Sequence, residues 1–198
     1  MKALIIVDVQ YDFLPGGALA VPDGDGIIPI INKISRDFDL VVATQDWHPD
    51  GHYSFASQHD GYEPFDQLEL NGEVQTLWPD HCVQGSHGAA FSKDLDLKPV
   101  EAIFRKGTDL RIDSYSGFFD NQHKRTTALA DYLKAKQVNE VFICGLAADV
   151  CVYFTALDAL RENFRTKLIK NATKGLDEEA IDNAYRDVKK KGGELINY

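Results

Sequence analysis

Ala3-Leu4-Ile5-Ile6-Val7-Asp8-Val9 is a run of aliphatic side chains interrupted once, near its end, by a carboxylate. The apolar residues are continuous rather than alternating. A strand wetted on one face alternates, whereas a strand covered on both faces does not. The run therefore predicts a buried strand of a parallel sheet, and Asp8 marks where it emerges. The same character returns at residues 40–44, 102–104, 141–145 and 166–169. Helical patterns lie between these runs. Residues 27–38 carry apolar side chains at helical spacing, with Pro29 suited to a first turn. Residues 126–136 place Ala128, Leu129, Tyr132 and Leu133 on one stripe. Residues 151–164 repeat Phe154, Leu157 and Leu160 at three-residue steps. Residues 177–191 have Asp177 as an N-cap and Gly192-Gly193 as a stop. Residues 194–197 fit a last short strand. Strand alternating with helix predicts an α/β fold: a three-layer α/β/α arrangement, Rossmann-like, with a mostly parallel central sheet. The length suits one domain over residues 1–198.

Composition narrows the partners. Lys and Arg number 21 and Asp and Glu 31, giving a formal net charge of −10. That balance argues against nucleic acid, which needs a basic face, and against docking on an anionic membrane. The longest early apolar run is too short to span a bilayer and lacks the layout of a signal peptide. Three cysteines, Cys82, Cys144 and Cys151, are too few and too odd for a disulfide framework. Reduced thiols and a cytoplasmic address are the expectation.

Two stretches break the rhythm. Residues 47–99 and 107–123 are long and rich in Gly, Asp, His or aromatic residues. Loops of that length in a compact domain usually build a site, and in open α/β sheets sites lie beyond the carboxyl ends of the strands. Asp8, Asp46 and Lys106 fall at such ends, and Cys151 falls where a helix begins. Singly, Asp8 reads equally well as a loop-capping carboxylate, Lys106 as a solvated lysine and Cys151 as a small buried hydrophobe. Together they supply a base, a cation and a thiol. A helix N-terminus and a nearby cation lead one to expect a lowered thiol pKa. Backbone N–H groups around residues 147–151 could form an oxyanion hole.

A second cluster has the composition of a metal site. Asp46-Trp47-His48 ends the second strand, with Asp46 and His48 on the same side. His52 follows, and Trp78-Pro79-Asp80-His81-Cys82 comes later. One carboxylate with two or three imidazoles suits a divalent transition metal, and Zn²⁺, Fe²⁺ and Mn²⁺ all accept such ligands. His59, His87 and His123 lack that context and read as surface residues; Cys82 reads as packed. Phe13, Trp78 and Tyr115 flank the polar candidates, as walls of a pocket for a flat ring would. No phosphate-binding glycine loop and no Gly-x-Ser-x-Gly elbow occurs.

These pieces, in order, resemble the nicotinamidases of the cysteine hydrolase family that also contains the isochorismatases. The matching segments are Ile6-Val7-Asp8-Val9-Gln10-Tyr11-Asp12-Phe13, Ala43-Thr44-Gln45-Asp46-Trp47-His48-Pro49, Trp78-Pro79-Asp80-His81-Cys82-Val83-Gln84-Gly85, Phe104-Arg105-Lys106-Gly107, Tyr115-Ser116-Gly117-Phe118 and Gly145-Leu146-Ala147-Ala148-Asp149-Val150-Cys151-Val152. The resemblance implies an isochorismatase-like fold and hydrolysis of nicotinamide to nicotinic acid and ammonia in NAD salvage, with pyrazinamide as a further substrate. It implies Cys151 as nucleophile, Asp8 as its base and Lys106 as the orienting cation. It implies N–H groups of Ala147 and Cys151 as the oxyanion hole beside a cis Leu146–Ala147 bond. Asp46, His48 and His81 would bind one divalent metal ion, zinc foremost, with iron or manganese as alternatives. His52 matches a position that is a ligand in some relatives only. Phe13, Trp78 and Tyr115 would bind the substrate ring. A homo-oligomer is left open. Relatives that cleave carbamoyl or ureido groups keep the Asp–Lys–Cys trio but lack the metal set, and an isochorismatase would lack the nucleophilic cysteine. A non-catalytic metal-binding or thiol-sensing protein would leave the placement of Asp8 and Lys106 accidental.

Overall fold

The computed structural model describes residues 1–70 and 72–198. In chain order its strands and α-helices are β1 (Lys2–Val7), α1 (Ile28–Ile34), β2 (Leu40–Asp46), β3 (Gln67–Leu70), β4 (Glu73–Thr76), β5 (Val100–Lys106), α2 (Leu129–Ala135), β6 (Glu140–Gly145), α3 (Cys151–Arg161), β7 (Arg165–Thr173), α4 (Glu178–Lys190) and β8 (Glu194–Ile196). Six strands form one sheet in the order β5-β2-β1-β6-β7-β8, and every pairing in it is parallel. β1 lies at its centre, as its unbroken apolar run predicts.

The pleat divides that run between two cores. Ala3, Ile5 and Val7 face one with Leu129, Leu133, Val152 and Ala156. Leu4 and Ile6 face the other with Ile28, Ile31 and Ile34. Burying one such side chain stabilises the fold by about 1.5–3 kcal/mol, so β1 anchors both layers. The first layer is built from α2 and α3, with Val188 of α4 joining it. The second has α1 as its helix and is completed by loop residues such as Leu14, Leu19, Val21 and Leu95.

Several boundaries shift for physical reasons. The helix expected over residues 126–136 starts at Leu129. Thr126 instead bridges Phe119, and Thr127 Oγ1 donates to Gly117 O. β7 is longer than expected because its ladder with β6 reaches Thr173. β5 is an edge strand with alternating burial, and Ile103 is exposed. The stretch 47–99, expected as loop, contains the antiparallel pair β3–β4. Asp177 caps α4 as expected, accepting from Ala180 N. All three cysteines are free and buried, and among the described residues no helix is long and apolar enough to cross a membrane.

The chain runs outward from β1 through β2 to β5, then returns to β6 on the other side of β1. The sheet order therefore reverses between β1 and β6, where open α/β sheets form their crevices. Gly145 closes that crevice. Its φ is +114°, and an added Cβ would stand 2.1 Å from Val7 O and 2.7 Å from Val7 N. Backbone cannot retreat as a flexible side chain can. Gly145→Ala is expected to destabilise the chain by about 3 kcal/mol or more, which corresponds to a melting temperature lowered by roughly 6–12 °C. Differential scanning calorimetry giving a melting temperature equal to that of the wild type would show that the β1–β6 approach is not tight.

Candidate active site

Strand ends deliver the principal residues, and the loops fold back to meet them. Asp8 follows β1 and takes a left-handed φ of 48°. Such a backbone is uncommon outside glycine and tends to occur at functional positions. Thr44 Oγ1 donates to Asp8 Oδ1 at 2.7 Å and orients the carboxylate. Asp46 ends β2, where Gln10 clamps it: Gln10 Oε1 accepts Asp46 N at 2.7 Å and Gln10 Nε2 donates to Asp46 O at 2.8 Å. Lys106 ends β5, paired in register with Asp46. Cys151 is the first residue of α3. The sequence reading thus placed four side chains at the sheet's carboxyl edge, and the structure brings all four together.

Lys106 is the hub. Its Nζ stands 2.9 Å from Asp8 Oδ2 and 3.1 Å from Asp46 Oδ1. It donates to Ser114 O at 3.0 Å and contacts Cys151 Sγ at 3.4 Å. Gly107 follows because nothing larger fits: an added Cβ would lie 2.5 Å from His48 Cε1.

Burial governs the titration of this group. Burial raises the Asp8 carboxyl above its ordinary value, opposed by Lys106 and assisted by Asp46. It also pushes the Cys151 thiol well up, with Lys106 only partly countering. Burial works against the Lys106 ammonium, but Asp46 and Asp8 outweigh it and hold Lys106 well above the ordinary lysine range. The expected low-pKa thiol is therefore corrected. Desolvation of an enclosed sulfur, beside two carboxylates, exceeds the help from the cation. Burial thus favours the thiol over the thiolate, beside a carboxylate whose own affinity for a proton burial also raises.

The metal candidates converge on Asp46. His48 N donates to Cys82 O, and Gln84 N donates to His48 O, at 3.0 and 2.8 Å. This short parallel bridge brings residues 78–84 alongside the end of β2, and His81 with them. Ligand-capable atoms of Asp46, His48 and His81 all lie within 4.8 Å of one another, and all three residues are buried. His48 Nδ1 is 3.0 Å from Gly107 O and His81 Nδ1 is 2.8 Å from Pro79 O. Carbonyl partners at Nδ1 fix the tautomer that leaves Nε2 with a lone pair, the usual arrangement behind a metal-binding histidine. Both Nε2 atoms face Asp46 Oδ2, at 3.1 and 3.5 Å. His48 Nε2 is buried and makes no hydrogen bond of normal geometry among the described residues. An orphaned nitrogen beside a carboxylate suits a divalent cation, so the residues present fit one. His52 groups with His48 and Asp113 rather than with Asp46 and His81.

A cleft opens over this floor. Phe13, Trp78 and Tyr115, the three expected aromatics, all line it, together with Asp46, His81, Ala147 and Cys151. Trp78 Nε1 donates to Tyr115 OH at 3.2 Å, and Phe13 meets His81 edge-on at 5.5 Å. The Leu146–Ala147 bond is cis, as expected. N–H groups of Leu146, Ala148, Val150 and Val152 are engaged by carbonyl oxygens, and α3 begins at the cleft wall. Cys82 is packed, with Gln10 Nε2 at 3.4 Å from its sulfur. His87 and His123 are exposed and His59 is half-buried. The sequence reading missed Gln10, Thr44 and Asp113. Asp113 carried a usable signal, a carboxylate two residues before Tyr115 in a loop already set apart by its length.

The whole chain has counterparts among known proteins. A model of the isochorismatase domain matches residues 2–198. The chain is 45% identical over 189 residues to the nicotinamidase of Escherichia coli (strain K12), covering 93% of this chain and 88% of that one. Among solved structures, the Acinetobacter baumanii nicotinamidase pyrazinamidease is 46% identical with a TM-score of 0.97, covering 99% of this chain and 95% of that one. The pyrazinamidase of Pyrococcus horikoshii, in complex with zinc, is 40% identical with a TM-score of 0.82, covering 100% and 99%.

Proposed function

Because the chain belongs to the isochorismatase domain family, we propose that it hydrolyses nicotinamide to nicotinic acid and ammonia through a thioester on Cys151. Pyrazinamide, another ring carboxamide, is a second substrate, and NAD salvage is the cellular use. The observation that carries this reading is the single ammonium of Lys106 touching Asp8, Asp46 and Cys151 at the floor of an aromatic cleft.

The chain's own residues account for the chemistry. Phe13, Trp78 and Tyr115 hold a flat ring and exclude water from the carboxamide. Asp8, oriented by Thr44, takes the thiol proton as Cys151 Sγ attacks the carboxamide carbon. Backbone N–H groups of Ala147 and Cys151 hold the oxygen that becomes negative. The N-terminal end of α3 adds a favourable dipole at the sulfur. Asp8 then gives its proton to the departing ammonia. It takes another from the water that cleaves the thioester, and the thiol is restored. Lys106 keeps both charges tolerable throughout. Asp46, His48 and His81 would hold one divalent ion, which when bound supplies a Lewis acid and template for the ring nitrogen.

Ammonia release from nicotinamide by the purified chain tests the activity. The expected result is turnover that falls at least about tenfold when a chelator strips the ion, and recovers on adding Zn²⁺, Fe²⁺ or Mn²⁺. No ammonia from the metal-supplied chain sinks the substrate assignment and directs attention to carbamoyl and ureido compounds. Full turnover by the stripped chain removes the metal from the reading.

A further inference from the structure

The β3–β4 pair stands outside the six-stranded sheet, and a lone two-stranded ladder is marginally stable in water. Its base is anchored. Leu77 is fully buried, Leu77 N donates to Asp66 O at 2.8 Å, and Trp78 N donates to Ser54 O at 2.8 Å. Further along β4 the pleat sends Val74 into solvent and turns Gln75 inward.

Gln75 directs its amide at the cleft wall. Its Nε2 donates to Thr76 O at 2.7 Å and to Tyr115 OH at 2.8 Å, and reaches Asp113 Oδ2 at 3.2 Å. A backbone carbonyl and a carboxylate only accept, so the amide nitrogen, not its oxygen, faces this group. Tyr115 OH therefore accepts from Gln75. It also accepts from Trp78 Nε1 at 3.2 Å, because an indole N–H only donates. One phenol oxygen thus joins β4 to two of the three aromatic residues of the cleft. It also holds the edge-on meeting of Trp78 and Tyr115, whose ring centroids lie 6.1 Å apart at 86°.

The backbone at Tyr115 has other supports. Tyr115 N donates to Asn121 Oδ1 at 2.9 Å, and Ser114 O accepts from Lys106 Nζ at 3.0 Å. Gln75 instead fixes the far end of the Tyr115 side chain. We propose that Gln75 is a positioning residue that acts through the Tyr115 hydroxyl to hold Tyr115 and Trp78 as one wall, and so sets the affinity for the substrate ring. The inference rests on the reading of that wall as the nicotinamide site. It separates binding from chemistry, because Gln75 touches none of Asp8, Lys106 and Cys151.

The test measures KM and kcat for nicotinamide in the metal-supplied chain, in Gln75→Met, in Tyr115→Phe and in the double variant. Each single variant is expected to raise KM roughly 3–10-fold, the factor that one lost hydrogen bond carries, with kcat changed less than about twofold. The double variant is expected to match the worse single variant within about twofold, because the two changes break the same bond. Tyr115→Phe reaches that bond from the other side if Gln75→Met folds poorly. An unchanged KM in Gln75→Met overturns the proposal, as does a fall in kcat with KM unchanged. Effects that multiply in the double variant also overturn it, because Gln75 would then support β4 without the hydroxyl. No ammonia from the unmutated chain is a separate failure: it removes the substrate reading, and the proposal with it.

Discussion

Cys151→Ala is expected to lower ammonia release from nicotinamide by roughly 10⁴–10⁶-fold, the scale on which catalytic units lose rate when their nucleophile is removed. The size follows from the absence of a substitute. Cys82 and Cys144 are both buried in packing positions, and burial raises both of their thiols. The cleft keeps its aromatic walls in the variant, because Phe13, Trp78 and Tyr115 are held by contacts that do not involve the sulfur. Stability should change by about 1 kcal/mol, the cost of a small buried deletion. The discriminating pair of measurements is therefore turnover and nicotinamide binding, the second by calorimetry. Lost turnover with retained binding isolates the thiol as the reacting group. Turnover above about one percent of wild type would assign the nucleophile elsewhere, since no oxyanion hole alone supplies so much.

The parts legible in the sequence were those set by short-range physics. Continuous apolar runs announced strands covered on both faces, and Asp8, Asp46 and Lys106 stood out because a charge at the end of such a run has to be used or paired. The bridge that brings His81 beside Asp46 is a long-range backbone contact, and only the motif order hinted at it. β3 and β4 escaped because they are short, largely polar strands with little burial. β5, expected as a fully covered strand, buries only alternate side chains in part, so one of its faces meets solvent where the helical layer does not reach the sheet edge. Gln10 and Thr44 were hidden for a different reason. A buried amide or hydroxyl that clamps a carboxylate looks, in sequence, like any polar residue near a strand end. Helix position and cation, visible in the sequence, favour a lowered thiol pKa, whereas complete desolvation of Cys151, which acts the other way, is not visible there.

Lys106→Met should cost the fold as well as the reaction. The ammonium is fully buried and stands between two buried carboxylates. Removing one partner of such a group leaves uncompensated charge, typically at about 3–5 kcal/mol, so the melting temperature should fall by roughly 6–20 °C. Methionine fills similar volume, so the loss reports electrostatics rather than a cavity. Asp8 carries the pH signature. Burial and Asp46 already raise its carboxyl, and Lys106 is the largest influence lowering it. Without the cation the folded-state pKa rises further above the unfolded value. A carboxyl raised in this way contributes most below its unfolded pKa and loses that contribution as pH climbs through the folded one. The stability deficit of Lys106→Met against wild type should thus shrink as pH falls toward the unfolded carboxyl value of about 3.9. Where Asp8 is protonated it cannot accept the thiol proton, so turnover should stay low even where the fold recovers. Calorimetry across pH, with turnover measured alongside, reads both effects. A variant as stable as wild type at about pH 8 would mean that the buried carboxylates do not depend on Lys106. A deficit that does not change with pH would place the lost stability in packing, and Asp8 would then lose its claim to be the proton acceptor tuned by that lysine.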